Sequence, residues 1–354
     1  MLDRTFDVLR RGVDEGLVPG ACAAIGTADG RLRAETYGWA QLTPRKRRLD
    51  AEMLFDCASL TKIVVTTTLC LQALQSGDLF LGQRVASLVP EFGAAGKGDL
   101  TLRHLLAHTS GLPAWIDVAA NGRGRAAALR TVFETALARP TGSAVVYSDL
   151  GFIALGEALA RAFDAPLERL ARERVFEPLG LRDACFTPRD ASRCVPTECS
   201  AERGSPIAGI VHDDNAFAMG GVAGHAGLFA TLADVERFAR LWLGHGRLDG
   251  QRHLSPAVVE QATRDQTDGV EPLSRRGLGW VLNPNPFWPV AELVSPAAFS
   301  HTGFTGTSIV IDPAAGIYAV LLTNRVHPTR EDNSATRIRT LRARFHNTAW
   351  AELA

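Results

Sequence analysis

Lysine is scarce in this 354-residue chain: only Lys46, Lys62 and Lys97 interrupt a basic set that is otherwise arginine. Arginine serves wherever a generic positive charge suffices, so a lysine at a helix start raises the question of what arginine could not do there. A guanidinium stays protonated, whereas a desolvated amine can give up its proton and act as a base. A surplus of either charge is also missing. Thirty-eight basic residues balance thirty-eight acidic ones, so no net field draws the protein to nucleic acid or to an anionic membrane. The cluster Arg45-Lys46-Arg47-Arg48 reads as a solvated turn. No run approaches the roughly 18 apolar residues that span a bilayer, and the start shows no apolar leader with a cleavage site. If Met1 is the natural start, a cytoplasmic location is expected; a trimmed start would leave the periplasm open.

Other absences remove whole reaction classes. There is no G-x-S-x-G elbow and no H-E-x-x-H, which excludes the α/β-hydrolase and zincin readings. His212, Asp213, Asp214 and His225 are metal-ligand types at no standard spacing and read as a polar loop lining a cleft, so neither metal nor cofactor is called for. The six cysteines (Cys22, Cys57, Cys70, Cys185, Cys194, Cys199) are scattered and form no disulfide framework. Cys194 and Cys199 could pair in an extracellular setting, but free thiols are the expectation. Five of the six tryptophans, Trp39, Trp115, Trp242, Trp280 and Trp288, share no spacing; packing is the default, although Trp115 could line a pocket.

What is present is an ordinary globular composition, 46% hydrophobic and 21% charged. Leu2, Phe6, Leu9 and Val13 mark one face of an N-terminal helix. The runs 19–30 and 31–40 meet at Asp29-Gly30, a hairpin signal. Helical spacing covers Thr61 to Leu74, Leu102 to Ala107, Arg125 to Arg139, Leu150 to Phe163, Leu167 to Val175 and Leu232 to Leu243. Strand character returns at Ser308 to Asp312 and Gly316 to Thr323, followed by a helix over Ser334 to Phe345. The order predicts an α/β (α+β) fold: an antiparallel sheet built from both chain ends (1–79 and 205–354) and flanked by helices, with 80–204 as a mostly helical lobe. The cleft between them is the expected place for a site.

Three motifs could carry chemistry there. Lys62 follows Ser59 by three residues, which puts both side chains on one helix face within mutual reach. Helix-terminal N–H groups could also aim at whatever Ser59 attacks. Ser59 could equally be an N-cap, and among fifteen serines one S-x-x-K arises easily by accident. Tyr147, one of three tyrosines, precedes a helix in Tyr147-Ser148-Asp149. Its phenol can shuttle a proton beside an ammonium, or it can simply pack, with Asp149 as the N-cap. His301-Thr302-Gly303 reads as the opening of an edge strand where a glycine admits close backbone approach, or as an ordinary turn. Ser110, beside His108, is a weak alternative nucleophile in a helix-end turn.

Together the three match the S-x-x-K, S-D-N, K-T-G order of penicillin-binding proteins and β-lactamases. The chain resembles the class C β-lactamase-like serine hydrolases, which include D-Ala-D-Ala carboxypeptidases, D-aminopeptidases and β-lactamase-like esterases. Further similar segments are Pro19-Gly20 with its hairpin, Phe55 to Lys62, Leu102 to Pro113, Tyr147 to Gly156, Gly220 to Phe229 and Gly303 to Pro313. The resemblance implies an acyl-enzyme at Ser59, Lys62 and Tyr147 as general base and acid, and an oxyanion hole from the backbone N–H groups of Ser59 and Phe304. It also implies substrate contacts from Asp149, His301, Thr302 and Gly303. Two departures stand out. Asp149 replaces a common asparagine, and a carboxylate accepts but does not donate, so it could pair with Lys62 or select a substrate with a cation or donor nearby; His301 replaces the lysine of many relatives. The expectation is a serine acyl hydrolase for a small-molecule ester or amide. The alternatives are a D-Ala-D-Ala carboxypeptidase or β-lactamase, and a non-catalytic binding module, which would need no lysine base. Oligomeric state is not legible.

Overall fold

The computed structural model describes residues 1–122, 124–271, 274–285, 290–331 and 334–353; Trp288 lies outside them. Alternating small and branched residues build a seven-stranded sheet: β1 (Gly20–Thr27), β2 (Gly30–Gln41), β3 (Arg47–Arg48), β4 (Val281–Leu282), β5 (Phe299–Thr302), β6 (Ser308–Asp312) and β7 (Ile317–Thr323). The spatial order is β3-β2-β1-β7-β6-β5-β4, with every neighbouring pair antiparallel. The two chain ends meet where β1 pairs β7, Ala21 opposite Thr323 and Gly26 opposite Tyr318.

Period-two alternation sorts the side chains between two cores. Ala21, Ala23, Ile25, Val310, Ala319 and Leu321 point to one face and meet Phe6, Leu9, Leu341 and Phe345. The last four come from the N-terminal helix Asp3–Asp14 and the C-terminal helix Ser334–Leu353. Cys22, Ala24, Ile309, Ile311, Val320 and Leu322 point to the other face, against Phe238 and Trp242 of the helix Leu232–Leu243 and the larger core beyond. No helix among the described residues is long and apolar enough to cross a membrane. All six cysteines are free.

Several elements differ from the sequence expectation for physical reasons. The helix expected to reach Arg139 stops at Glu134. There Lys97 Nζ donates to the carbonyls of Phe133 (2.8 Å) and Thr135 (2.6 Å), and Gly111 draws the next turn of chain away through the Ala138 and Arg139 N–H groups. The last helix continues beyond Phe345 to Leu353, because Ala349 and Trp350 extend its apolar stripe and the Trp350 indole donates to Asp312 at 2.9 Å. His301 and Thr302 end β5 rather than opening an edge strand. β5 is an inner strand, bordered by β6 along its length and by β4 at Phe299 and Ser300. Between the sheet halves lies a helical block whose central helix is Asp149–Ala162, with irregular chain from residue 180 to 213.

Candidate active site

Ser59 sits in a strained turn. Ala58 before it has φ 47°, the left-handed region that alanine rarely adopts. The turn is held because the buried Asp56 accepts the Ala58 N–H at 2.8 Å and the His212 N–H at 2.7 Å. Immediately after Ser59 the chain enters a helix whose Lys62–Thr67 stretch is π-wound before it continues as Thr68–Ser76. The tight turn before that stretch, closed by the Lys62 N–H on the Ser59 carbonyl at 3.0 Å, carries Lys62 beneath Ser59, with Nζ 3.0 Å from Oγ.

Lys62 is completely buried; its Nζ donates to Ser59 Oγ and to the His225 carbonyl at 3.2 Å, and it forms an ion pair with Asp149 Oδ1 at 2.7 Å. Burial alone would push this amine down towards neutrality, as the sequence reading expected. The Asp149 carboxylate and then Tyr147, to which Lys62 is also hydrogen-bonded, outweigh it and raise the ammonium above the ordinary lysine range. The resting lysine is therefore charged. Glycines make its contact with His225 possible: a Cβ on Gly224 would lie 2.1 Å from the Phe152 carbonyl, so only glycine lets the 220–229 segment press against the helix Asp149–Ala162.

Tyr147 is half-buried, and Lys62 Nζ lies 4.8 Å from its ring centre. His108 stacks behind it at 4.6 Å and accepts the Ser148 N–H through Nδ1 at 3.0 Å. The Arg276 guanidinium lies 5.5 Å from the same ring. His108 is fully buried and held well below the ordinary histidine range by burial and then by Arg276 and Lys62, so it packs as a neutral ring.

Two hydroxyls staple the turn at 303–307 to the Ser59 turn. Thr305 Oγ1 donates to the Asp56 carbonyl at 2.7 Å, and Thr307 Oγ1 to the Cys57 carbonyl at 3.1 Å. Gly303 lies between them, where a Cβ would come within 2.5 Å of the Cys57 carbonyl and 2.1 Å of Thr307 Oγ1. Contact between the two turns by itself requires a glycine here. The N–H groups of Ser59 and Phe304 have no acceptor among the described residues and border the same cleft.

That cleft measures about 600 Å³ and is lined by Ser59, Tyr147 and Asp149 on one side, Thr302, Gly303 and Phe304 on the other, and Trp115 at the rim. The Phe304 ring, half exposed, stacks on His212 at 5.6 Å. His301, expected to meet substrate, does not line the cleft. It is 0% exposed, its ring 6.1 Å from that of Tyr147, and burial followed by Lys62 and Arg276 keeps it neutral. Ser110 is also buried, its hydroxyl accepting the Leu112 N–H within its own turn.

Sequence reasoning overlooked the acid–imidazole pair Asp213–His225, 2.8 Å apart. Burial would raise Asp213, but the His225 ring holds it far below the usual carboxylate range. The ligating atoms of Asp149, Asp213 and His225 lie within 4.8 Å of one another. Each carboxylate is already paired, and the Lys62 ammonium beside them opposes a further cation.

Comparison with known proteins agrees with this geometry. A curated relative from Escherichia coli (strain K12) with the provisional name D-alanyl-D-alanine carboxypeptidase is 29% identical over 325 residues, covering 83% of this chain and 74% of its own. A penicillin-binding protein homologue from Caulobacter crescentus superposes with a TM-score of 0.78 at 23% identity, covering 99% of this chain and 98% of its own. EstCE1, a hydrolase with promiscuous acyltransferase activity, gives 0.75 at 22% identity over 96% and 97% of the two chains. The family model described as Beta-lactamase matches residues 6–344, and with that match across nearly its whole length the chain belongs to the beta-lactamase family and is a serine hydrolase.

Proposed function

We propose that this hydrolase cleaves an ester or a small amide through an acyl-enzyme on Ser59. The observation that carries the reading is the buried Lys62 ammonium reaching Ser59 Oγ at 3.0 Å and Asp149 at 2.7 Å beside an open cleft. Once Lys62 has released one proton to solvent, attack by Oγ on the scissile carbonyl passes the serine proton to the Lys62–Tyr147 pair, and the pair returns it to the leaving group. The N–H groups of Ser59 and Phe304 receive the charge that grows on the carbonyl oxygen. Water then repeats the sequence and frees Ser59.

Asp149 supports the ester preference. A carboxylate at this wall cannot donate to a peptide carbonyl, and an ester asks nothing of it. Trp115 and Phe304 offer apolar surface to an acyl group. A second reading, carboxypeptidase activity on D-Ala-D-Ala peptides, is favoured by Arg339, exposed at the far end of the cleft and suited to a terminal carboxylate. A substrate panel of p-nitrophenyl esters, D-amino acid amides, D-Ala-D-Ala peptides and nitrocefin tests the choice, with fluorophosphonate labelling read by mass spectrometry. The proposal expects an adduct on Ser59 and ester turnover; peptide turnover exceeding ester turnover would transfer the assignment to the second reading.

A further inference from the structure

Against the Phe304 turn, in the lining of the same cleft, stand two arginines that the acyl-transfer steps do not use. Arg342, on the C-terminal helix, donates through Nη2 to the Gly303 carbonyl at 2.9 Å and to the Thr307 carbonyl at 2.7 Å. Arg325 donates through Nε to the Phe304 carbonyl and through Nη1 to Ser334 Oγ at 2.9 Å. Their exposures are 8% and 6%, and among the described residues neither pairs with a carboxylate. Burial, then the neighbouring Arg325 and Arg339, bring Arg342 down to about 9; burial and Arg339 bring Arg325 down to about 10. Two buried cations without counter-charge raise the energy of the folded state. A neutral amide side chain could hold a carbonyl without that penalty.

The carbonyls they hold explain the choice. The Gly303 carbonyl and the Phe304 N–H belong to one planar trans peptide unit and point in opposite directions, so pinning the oxygen aims the N–H. A cation on the amide oxygen also draws density along the unit and strengthens the N–H as a donor. Arg325, on the following carbonyl, fixes the other side of residue 304.

We infer that Arg342, assisted by Arg325, positions and polarises the Phe304 N–H to receive the oxyanion formed during acyl transfer, an inference that rests on the acyl-serine reading above. When Ser59 Oγ bonds to the carbonyl carbon, the C=O π pair moves onto oxygen and the serine proton goes to the Lys62–Tyr147 pair. The new negative charge supplies what the guanidiniums lack at rest. An interaction made only at that stage lowers the barrier rather than tightening substrate binding.

The test compares Arg342→Met and Arg342→Lys with wild type on a neutral p-nitrophenyl ester, and measures inhibition by a trifluoromethyl ketone and by its methyl ketone counterpart. Direct removal of one oxyanion donor lowers kcat by roughly 100–1,000-fold; for Arg342→Met, acting through the donor, about 100-fold is expected, with KM within about threefold. Trifluoromethyl ketone binding should weaken in proportion and methyl ketone binding should not, while Arg342→Lys should recover part of both losses. Should Arg342→Met fail to fold, Arg342→Lys and Arg325→Gln carry the same readouts. An unchanged kcat, a loss confined to KM, or a loss seen only with anionic esters would overturn the inference, the last marking a substrate-anion site. A wild-type enzyme inert to esters and to fluorophosphonate would instead remove the acyl-serine reading itself.

Discussion

Replacing Asp149 by asparagine isolates the electrostatic centre of the site. The carboxylate lies 2.7 Å from Lys62 Nζ, and at an effective dielectric constant near 20 two unit charges at that separation attract by about 6 kcal/mol before desolvation is subtracted. Burial opposes the charged lysine and Asp149 is the largest contribution favouring it; without Asp149, burial gains ground and Lys62 moves down. Lys62 has to shed one proton before it can help accept the proton of Ser59. Wild-type kcat/KM should therefore climb with pH through neutrality and beyond, and in Asp149→Asn the climb should move to lower pH. If only about 1.4 kcal/mol of the attraction survives desolvation, the competent form at pH 7 grows about tenfold, part of the gain being lost because a weaker base is a poorer proton acceptor. The assay is the pH dependence of kcat/KM on a p-nitrophenyl ester, with fluorophosphonate labelling of Ser59 as a check independent of substrate. An alkaline climb at unchanged pH in a folded variant would refute the idea that Asp149 sets the charge of Lys62. The new amide also supplies a donor, so the ratio of amide to ester turnover should rise.

Lys62→Arg keeps a positive charge but not a removable proton; turnover should vanish, and near wild-type rates would overturn the role given to Lys62. Gly303→Ala would drive a methyl group to within 2.5 Å of the Cys57 carbonyl, so ester hydrolysis should fall at least about 100-fold, with a lowered Tm by differential scanning calorimetry. Trp350→Ala removes a buried indole and its bond to Asp312; urea titration should record a loss of about 3–5 kcal/mol while the kcat of the remaining folded enzyme is retained.

The hairpin at Asp29-Gly30, the alternation over 308–312 and 317–323, and the S-x-x-K spacing were legible because each is a local pattern that the observed elements reproduce. The charge of Lys62 was not. A pairing of Asp149 with Lys62 was one of two options the sequence offered, but that Asp149 and Tyr147 together outweigh burial depends on how their segment packs on the Ser59 helix, and burial alone pointed the other way. His108 behind Tyr147, the Asp213–His225 pair and the Arg342 clamp are likewise contacts between remote stretches that carry no short-range signature. His301 shows the converse: its motif was visible, but the pleat of β5 puts its ring opposite Ile309 on the face of the larger core.

The central pairing of β1 with β7 has a consequence for biosynthesis. Ser59 leaves the ribosome long before residues 302–304, and the scaffold joining them closes only when residues 20–27 find 317–323. Contacts of such separation in sequence form slowly. A partly synthesised chain therefore exposes Ser59 without the Phe304 N–H beside it, and on the acyl-serine reading proposed above hydrolytic activity becomes a late and stringent reporter that both sheet halves have joined.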